Sequence, residues 1–495
     1  MLNRWAIQSK ASVFIALLIF VYILKQLFFV AAFYPFSGHD ELAHFSYVRT
    51  LVTEARLPVI PDLHDWRGGL QGGVAPPTDD IPDDLYPYCR FALDWFCDPE
   101  NPRWSDDPPR IVTVPGAGYF PSGYQYVANH PPLYYAIAAP IYALSSSMTP
   151  MWQQFVLRVL AIPFGLITVV AAYLSARVLF PGDTFLLFTA PTVVAFQPQI
   201  SYEAAMVNND IVAIAIMSVI ILGMLLGIRH GFPRKLCVAL GILLGLGLLT
   251  KGTTVAIIPV LGLALLWCSK RGDWRGLLER GIAMGVPFAV IASPWYWYLY
   301  RTYGDFSGLS RVSELQYWSQ PMGSFFELLA DPAFFADRFN ESWGEYGWRL
   351  IHFETPLLWI IAVPLLIGGI GVFTFFFRNW RQVTPRFDEA NPVQTWQMKS
   401  IAMLCLVVLV AYLAVVQFGT QFALAQARYY FPIVTAAALL ILIGWRTLVP
   451  IRHRGVAQGL IVSSLVVLNV YIMVTYVLPF TSTFGLPVYS WYWGG

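Results

Sequence analysis

Residues 11–45 read ASVFIALLIFVYILKQLFFVAAFYPFSGHDELAHF, and this stretch decides the class of the protein. The apolar run from Ala11 to Phe36 is longer than the about 20 residues that cross a bilayer. Two carboxylates, Asp40 and Glu41, and two imidazoles, His39 and His44, follow directly. They therefore sit at a membrane–water boundary. A helix over Asp40–Thr50 puts Asp40 and His44 four apart and Glu41 and His44 three apart, all on one face. A carboxylate held there can accept a proton or hold a metal. The same residues also fit an ordinary solvated helix start, where acids are favoured.

The rest of the chain extends the membrane reading. Of 495 residues, 57% are hydrophobic and 12% charged, against about 25% charged in soluble domains. This predicts one all-α polytopic membrane domain over residues 1–495. The net charge of +2 carries little information, because the charge is segregated by loop. No basic stripe is present, which excludes a nucleic-acid partner. The first apolar run exceeds the roughly 7–15 residues of a signal h-region, so it reads as a retained anchor with Arg4 and Lys10 on the cytoplasmic side. Cys237, Cys268 and Cys405 fall in or beside apolar runs and read as packing residues. Cys89 and Cys97 lie in a polar loop and could pair if it faces an oxidising compartment.

Apolar runs of spanning or near-spanning length lie at about 11–36, 154–179, 184–200, 208–228, 236–250, 253–269, 277–299, 356–377, 400–418, 429–446 and 456–478. Lys and Arg cluster between them at 229–235, 270–280, 378–399 and 446–454. The positive-inside rule places all four clusters in the cytoplasm. That holds only if a single segment crosses between 131 and 180, so Leu133–Ser147 is expected not to span. The count is then about 11 transmembrane helices, N-terminus inside and C-terminus outside. Two large loops fall outside, 37–132 and 300–355. The first holds Asp79-Asp80, Asp83-Asp84 and Asp106-Asp107 among tryptophans and tyrosines. The second holds Trp343, Trp348, Glu341, Glu345 and His352.

Nearly every unusual polar motif falls on that outer side. Besides Asp40 and Glu41 these are His130-Pro131-Pro132, Glu203, Asn208-Asn209-Asp210, Thr250-Lys251, Glu345, and Gln426-Ala427-Arg428-Tyr429-Tyr430. Ionisable groups beside apolar segments mark functional sites by default. Individually each has a plainer reading. Lys251 and Arg428 can snorkel to the interface, Asn208–Asp210 can cap a helix, and Pro131-Pro132 can start one. Together they gather acids, an imidazole and two cations on one face. A carboxylate base with separate cations suits transfer from a lipid-linked phosphate donor. The base takes the acceptor hydroxyl's proton, and the cations offset charge on the departing phosphate. Glycosyl transfer through an oxocarbenium-like transition state uses such an arrangement. No Gly-rich phosphate loop supports a nucleotide-sugar donor.

With its His39–Phe45 stretch, His130–Tyr135, Lys251 and Gln426–Tyr430, the chain resembles the GT-C superfamily of integral membrane glycosyltransferases. Within it, the resemblance is to the protein mannosyltransferase and aminoarabinose transferase type and to uncharacterised bacterial relatives. The resemblance implies a GT-C-like fold and inverting transfer from a polyprenyl-phosphate sugar to an acceptor glycan, lipid or protein hydroxyl. The active site would be extracytoplasmic, in a bacterial inner or plasma membrane. Asp40 matches the catalytic acid as general base, with Glu41 as its orienter or a second acceptor contact. Lys251, Arg428 and His130 would bind the donor phosphate. His130 would do so only when protonated or by hydrogen bonding. His44, Glu203, Asp210 and Glu345 are the expected substrate contacts. No cofactor is expected to be required; if a divalent metal takes part, Asp40, Glu41 and His44 are its ligands. The competing classes are a transporter, with acids lining a path, and a non-catalytic glycan-binding or assembly protein.

Overall fold

The apolar run at the start of the chain forms helix α1, Leu2–Ala32, of which Lys10–Ala32 is long and apolar enough to cross a membrane. The computed structural model describes residues 2–60, 127–270, 272–314, 321–347, 351–379, 393–422 and 425–482. Cys89, Cys97, Trp348 and the paired aspartates of the first loop lie outside these residues.

After α1 come α2 (Glu41–Thr53), α3 (Leu133–Leu144), α4 (Pro150–Leu179), α5 (Thr184–Phe196), α6 (Pro198–Glu203), α7 (Asp210–His230) and α8 (Arg234–Leu248). A 3₁₀ turn, Gly252–Ile257, leads into α9 (Ile258–Cys268) and α10 (Trp274–Tyr303). The second loop carries α11 (Leu309–Glu314), α12 (Phe325–Ala330) and α13 (Pro332–Gly344). Next is a two-residue hairpin pair, β1 (Glu345–Tyr346) and β2 (Ile351–His352), antiparallel with Glu345 opposite His352. Then follow α14 (Thr355–Asn379), α15 (Thr395–Gly419), a second 3₁₀ turn (Ala427–Ile433), α16 (Val434–Leu448), α17 (Arg454–Ile472) and α18 (Leu478–Ser482).

Among the described residues eight helical segments are long and apolar enough to cross a membrane, three fewer than the eleven expected. The difference has local causes. The expected span 184–200 is split where Pro198 holds Gln197 extended, at φ −63 and ψ 119, into α5 of 13 residues and α6 of 6. The run 236–250 forms only the 15 residues of α8. Lys251 is extended, at φ −156 and ψ 133, and its break shortens the helix that follows. Leu133–Ser147, expected not to span, forms only the 12 residues of α3.

The two ends of the bundle differ in chemistry. At one end, cations cap helix C-termini, whose last carbonyls lack partners. Arg229 donates to the Val178 carbonyl (3.3 Å), Arg280 to Gly231 (3.2 Å), Lys399 to Trp267 (2.8 Å) and Arg378 to Thr447 (3.1 Å). Arg446 pairs with Asp183, which caps α5. All four basic clusters of the sequence contribute to this end. Between the ends the helices pack closely through small residues, as membrane helices do. A Cβ on Gly444 of α16 would run into the Gly368 carbonyl of α14. The other end, where α1 finishes and α2, α7 and the two 3₁₀ turns begin, gathers the polar motifs.

Candidate functional site

The site is built on the turn between α1 and α2. Asp40 is the residue before α2 and adopts a left-handed conformation, φ 55 and ψ 19. Few residues other than glycine tolerate this, and Asp is one of them. Its carbonyl accepts the His44 N–H at 2.9 Å. Glu41 holds the turn in place. Its carboxylate accepts the Gly38 N–H (2.9 Å), the Val207 N–H (2.9 Å) and two donors of Arg158 (2.8 and 2.7 Å). Arg158 also donates to the carbonyls of Val30 (3.3 Å), Phe33 (3.0 Å) and Tyr34 (2.9 Å), which end α1. Both side chains are wholly buried. Such a pair is tolerated away from water when its remaining donors and acceptors are satisfied.

Neutralising Arg158 and tying the turn that carries Asp40 engage both oxygens of Glu41, so neither is left open. Nor do Asp40, Glu41 and His44 converge on one face. Glu41 turns to Arg158, and His44 Nδ1 lies 2.8 Å from the Tyr135 hydroxyl. Among the described residues no group of three or more His, Cys, Asp or Glu side chains is placed to hold a metal ion.

Asp40 instead meets two motifs from far along the chain. Arg428, in the second 3₁₀ turn, donates to its carboxylate. Arg428 also lies 3.9 Å from Asp210, and Lys251 donates to the other Asp210 oxygen. Two carboxylates and two cations thus alternate, supplied by the starts of α2 and α7 and by both 3₁₀ turns. The Asn208-Asn209 pair fixes this placement. Asn208 Oδ1 accepts the Ile211 N–H (3.0 Å) to cap α7, and Asn209 donates to the Thr250 carbonyl (2.9 Å) beside Lys251. Lys251 and Arg428 both approach the Tyr429 ring, at 5.3 and 5.6 Å from its centroid.

A cavity of about 440 Å³ opens onto these groups. Asp40, Asn129, His130, Lys251, Gln426 and Arg428 line its polar end. Its other walls are apolar, with Met217, Val255 and Ile257 facing Val407, Ala411, Ala414, Val415 and Phe418. The last five lie on one face of α15, and Val407 to Phe418 covers roughly 16 Å at about 1.5 Å per residue. Tyr296 and Leu299 of α10 close another side.

His130 is neutral here. Burial, followed by the nearby Lys251 charge, pushes its pKa from 6.5 to about 4, so it can contact a phosphate by hydrogen bonding and not as a cation. Its native pKa lies below the unfolded one, so the native state resists protonation. Its share of stability is present above pH 6.5 and lost as pH falls through about 4. Thermal unfolding midpoints are expected to drop across that window, and His130→Gln is expected to flatten the drop.

The other expected contacts are not among the residues that line the cavity. Glu203 accepts from Asn208 (2.9 Å) and faces His39 at 3.5 Å. Glu345 lies in β1, with His352 at 3.7 Å. Asp210 touches the cations, and His44 backs His130 with ring centroids 5.5 Å apart. Arg158 was missed in the sequence, although a lone arginine within an apolar run is itself a signal.

The family model for dolichyl-phosphate-mannose-protein mannosyltransferases matches residues 129–298, the part that carries His130, Asp210 and Lys251. The chain also superposes on ArnT from Cupriavidus metallidurans in the apo state, with a TM-score of 0.50 at 18% identity. The match covers 92% of this chain and 63% of that one. The chain has a GT-C fold. It spans under two thirds of the length of that ArnT. Weaker structural likenesses include two more. ArnT bound to undecaprenyl phosphate gives a TM-score of 0.46 at 16% identity, over 96% of this chain and 75% of that one. The apo oligosaccharyltransferase of Archaeoglobus fulgidus gives 0.46 at 11%, over 94% and 55%. No curated protein sequence matches the chain. In this GT-C fold the cavity is assembled from the loop after α1, the start of α7 and the two breaks that interrupt the apolar helices at Lys251 and Arg428.

Proposed function

We propose that this protein is an inverting glycosyltransferase that moves a sugar from a polyprenyl-phosphate donor to an acceptor hydroxyl. One observation carries the reading. A single cavity joins a carboxylate and two cations to an apolar channel walled by α15. That combination suits a ligand with an anionic head and a hydrocarbon tail, where apolar walls bind and a few polar groups orient. Lys251 and Arg428 would hold the phosphate. The acceptor oxygen attacks the anomeric carbon, and the bond from that carbon to the phosphate oxygen breaks. The electron pair leaves with polyprenyl phosphate, and Asp40 takes the hydroxyl proton. The cations stabilise the charge that grows on the leaving group. His130 would add a neutral hydrogen bond, and Asp210 keeps both cations oriented. The acceptor would be a glycan, lipid or protein.

The end rich in Arg and Lys would be cytoplasmic. The cavity lies at the opposite end, on the extracytoplasmic face of a bacterial inner or plasma membrane.

The test is polyprenyl phosphate release by purified protein in lipid, supplied with a panel of polyprenyl-phosphate sugars and envelope extract as acceptor. Release with one donor class is expected. Lys251→Ala and Arg428→Ala are each expected to raise the donor KM about 10- to 100-fold, the size of a lost hydrogen bond to a charged group. Variants that match the wild type would remove these cations from the donor site. No release across the panel would overturn the reading.

A further inference from the structure

The second loop contains a buried ion pair that the proposed reaction does not use. In α13, Arg338 Nε donates to Glu341 at 2.8 Å, and both side chains are about 95% buried. The face of α13 that carries Phe334, Arg338, Glu341 and Ser342 is buried. It packs on the 3₁₀ turn Ala427–Ile433, the turn that presents Arg428 to the cavity.

Helix starts leave their first N–H groups without partners. Gln426, which precedes this turn, supplies no side-chain cap. Glu341 supplies it from 86 residues away, and its Oε2 accepts the Ala427 N–H at 2.7 Å. On the far side of Arg428, the Tyr430 hydroxyl donates to the Arg338 carbonyl at 2.8 Å and pairs with the Ser342 hydroxyl. The backbone of Arg428 is thus gripped one residue before and two residues after. The same helix is tied across the site, since Gln197 donates to the Ser342 carbonyl at 2.6 Å. A long, flexible arginine gains selectivity for a phosphate when its backbone origin is held by packed elements.

We propose that Glu341 is a positioning residue for the donor phosphate. Its carboxylate caps the 3₁₀ turn at Ala427, and this fixes where Arg428 enters the cavity. The inference rests on the donor reading above and extends it to the second loop.

The test is equilibrium binding of polyprenyl phosphate to full-length protein. Removing Glu341 alone would strand a buried arginine, so the pair is replaced together, since apolar substitution of both partners of a buried pair is tolerated. Arg338→Leu with Glu341→Leu is expected to keep the thermal midpoint and weaken binding about tenfold, because the Ala427 N–H loses its acceptor. Arg338→Leu with Glu341→Gln restores an acceptor and is expected to recover most of the affinity. In an Arg428→Ala background the two pairs are expected to bind alike, because the cap acts only through Arg428. A purely structural role would not give that coupling. Equal binding by the two pairs with Arg428 present, or a difference that persists without it, overturns the positioning role. If the Leu pair fails to fold, Ser342→Ala, which loosens the grip at Tyr430, is measured in the same cycle against Arg428→Ala. If Arg428→Ala binds polyprenyl phosphate like the wild type, the donor reading itself fails and this role falls with it. If Arg428→Ala weakens binding and the Leu pair does not, only the positioning role falls.

Discussion

Asp40→Asn is expected to keep donor binding and lose turnover by about 100- to 10,000-fold, the usual contribution of a positioned general base. Asparagine preserves the size of the side chain and its fit to the left-handed turn at φ 55. It removes the basic oxygen that faces the cavity and the charge that pairs with Arg428. Without that pairing Arg428 is freer to engage phosphate, so donor affinity should hold or rise as the chemical step fails. Single-turnover release of polyprenyl phosphate, measured beside donor binding, separates the two effects. Full turnover by the variant would remove Asp40 from the chemistry. Asp210 would then be the remaining carboxylate in contact with both cations.

The second large effect is on folding. Arg158→Leu is expected to destabilise the protein by about 3–5 kcal/mol, the cost of breaking a buried pair by removing one partner. It strands Glu41 and uncaps the carbonyls of Val30, Phe33 and Tyr34. Thermal midpoint and yield in detergent measure this. Replacing Glu41 by leucine in the same protein should recover part of the loss but not all of it, because the α1 carbonyls remain without a donor. Glu41→Gln, by contrast, is expected to lower stability and turnover together, since the carboxylate that neutralises Arg158 also holds the Asp40 turn. A Glu41→Gln protein with the wild-type midpoint and no turnover would return Glu41 to the chemistry and overturn its structural role.

The two predictions divide Asp40 from Glu41, which stand side by side in the sequence. Helical spacing places them with His44 on one face, but spacing assumes that the helix has already begun. Asp40 lies outside it, in a left-handed turn, so its side chain leaves at an angle that the 3.6-residue period does not describe. Glu41 is drawn inward by an arginine 117 residues away. The cations were more legible. Lys251 and Arg428 each follow a break in an apolar run, where a charge has little reason to sit unless it is used. Their partners were not legible, because which carboxylate each meets depends on how α7 and the two 3₁₀ turns come together.

The span count divides along the same line. Length and apolar content identify the long crossings, from α1 and α4 to α14 and α15. They do not reveal that breaks at Pro198 and Lys251 shorten three of the expected spans to helices of 13, 15 and 11 residues. The sequence by itself determined that this is a helical membrane protein, that its basic segments alternate with its polar motifs, and which ionisable residues were worth following. Those properties follow from residue type and local order, because the bilayer selects for apolar length and helices satisfy their own backbone. Tertiary structure alone decided that Glu41 holds Arg158, that Asp40 meets Arg428, and that α13 of the second loop grips the turn bearing that arginine. Each of these contacts joins residues 86 or more positions apart, and their direction is set by the packing of helices that no local pattern encodes.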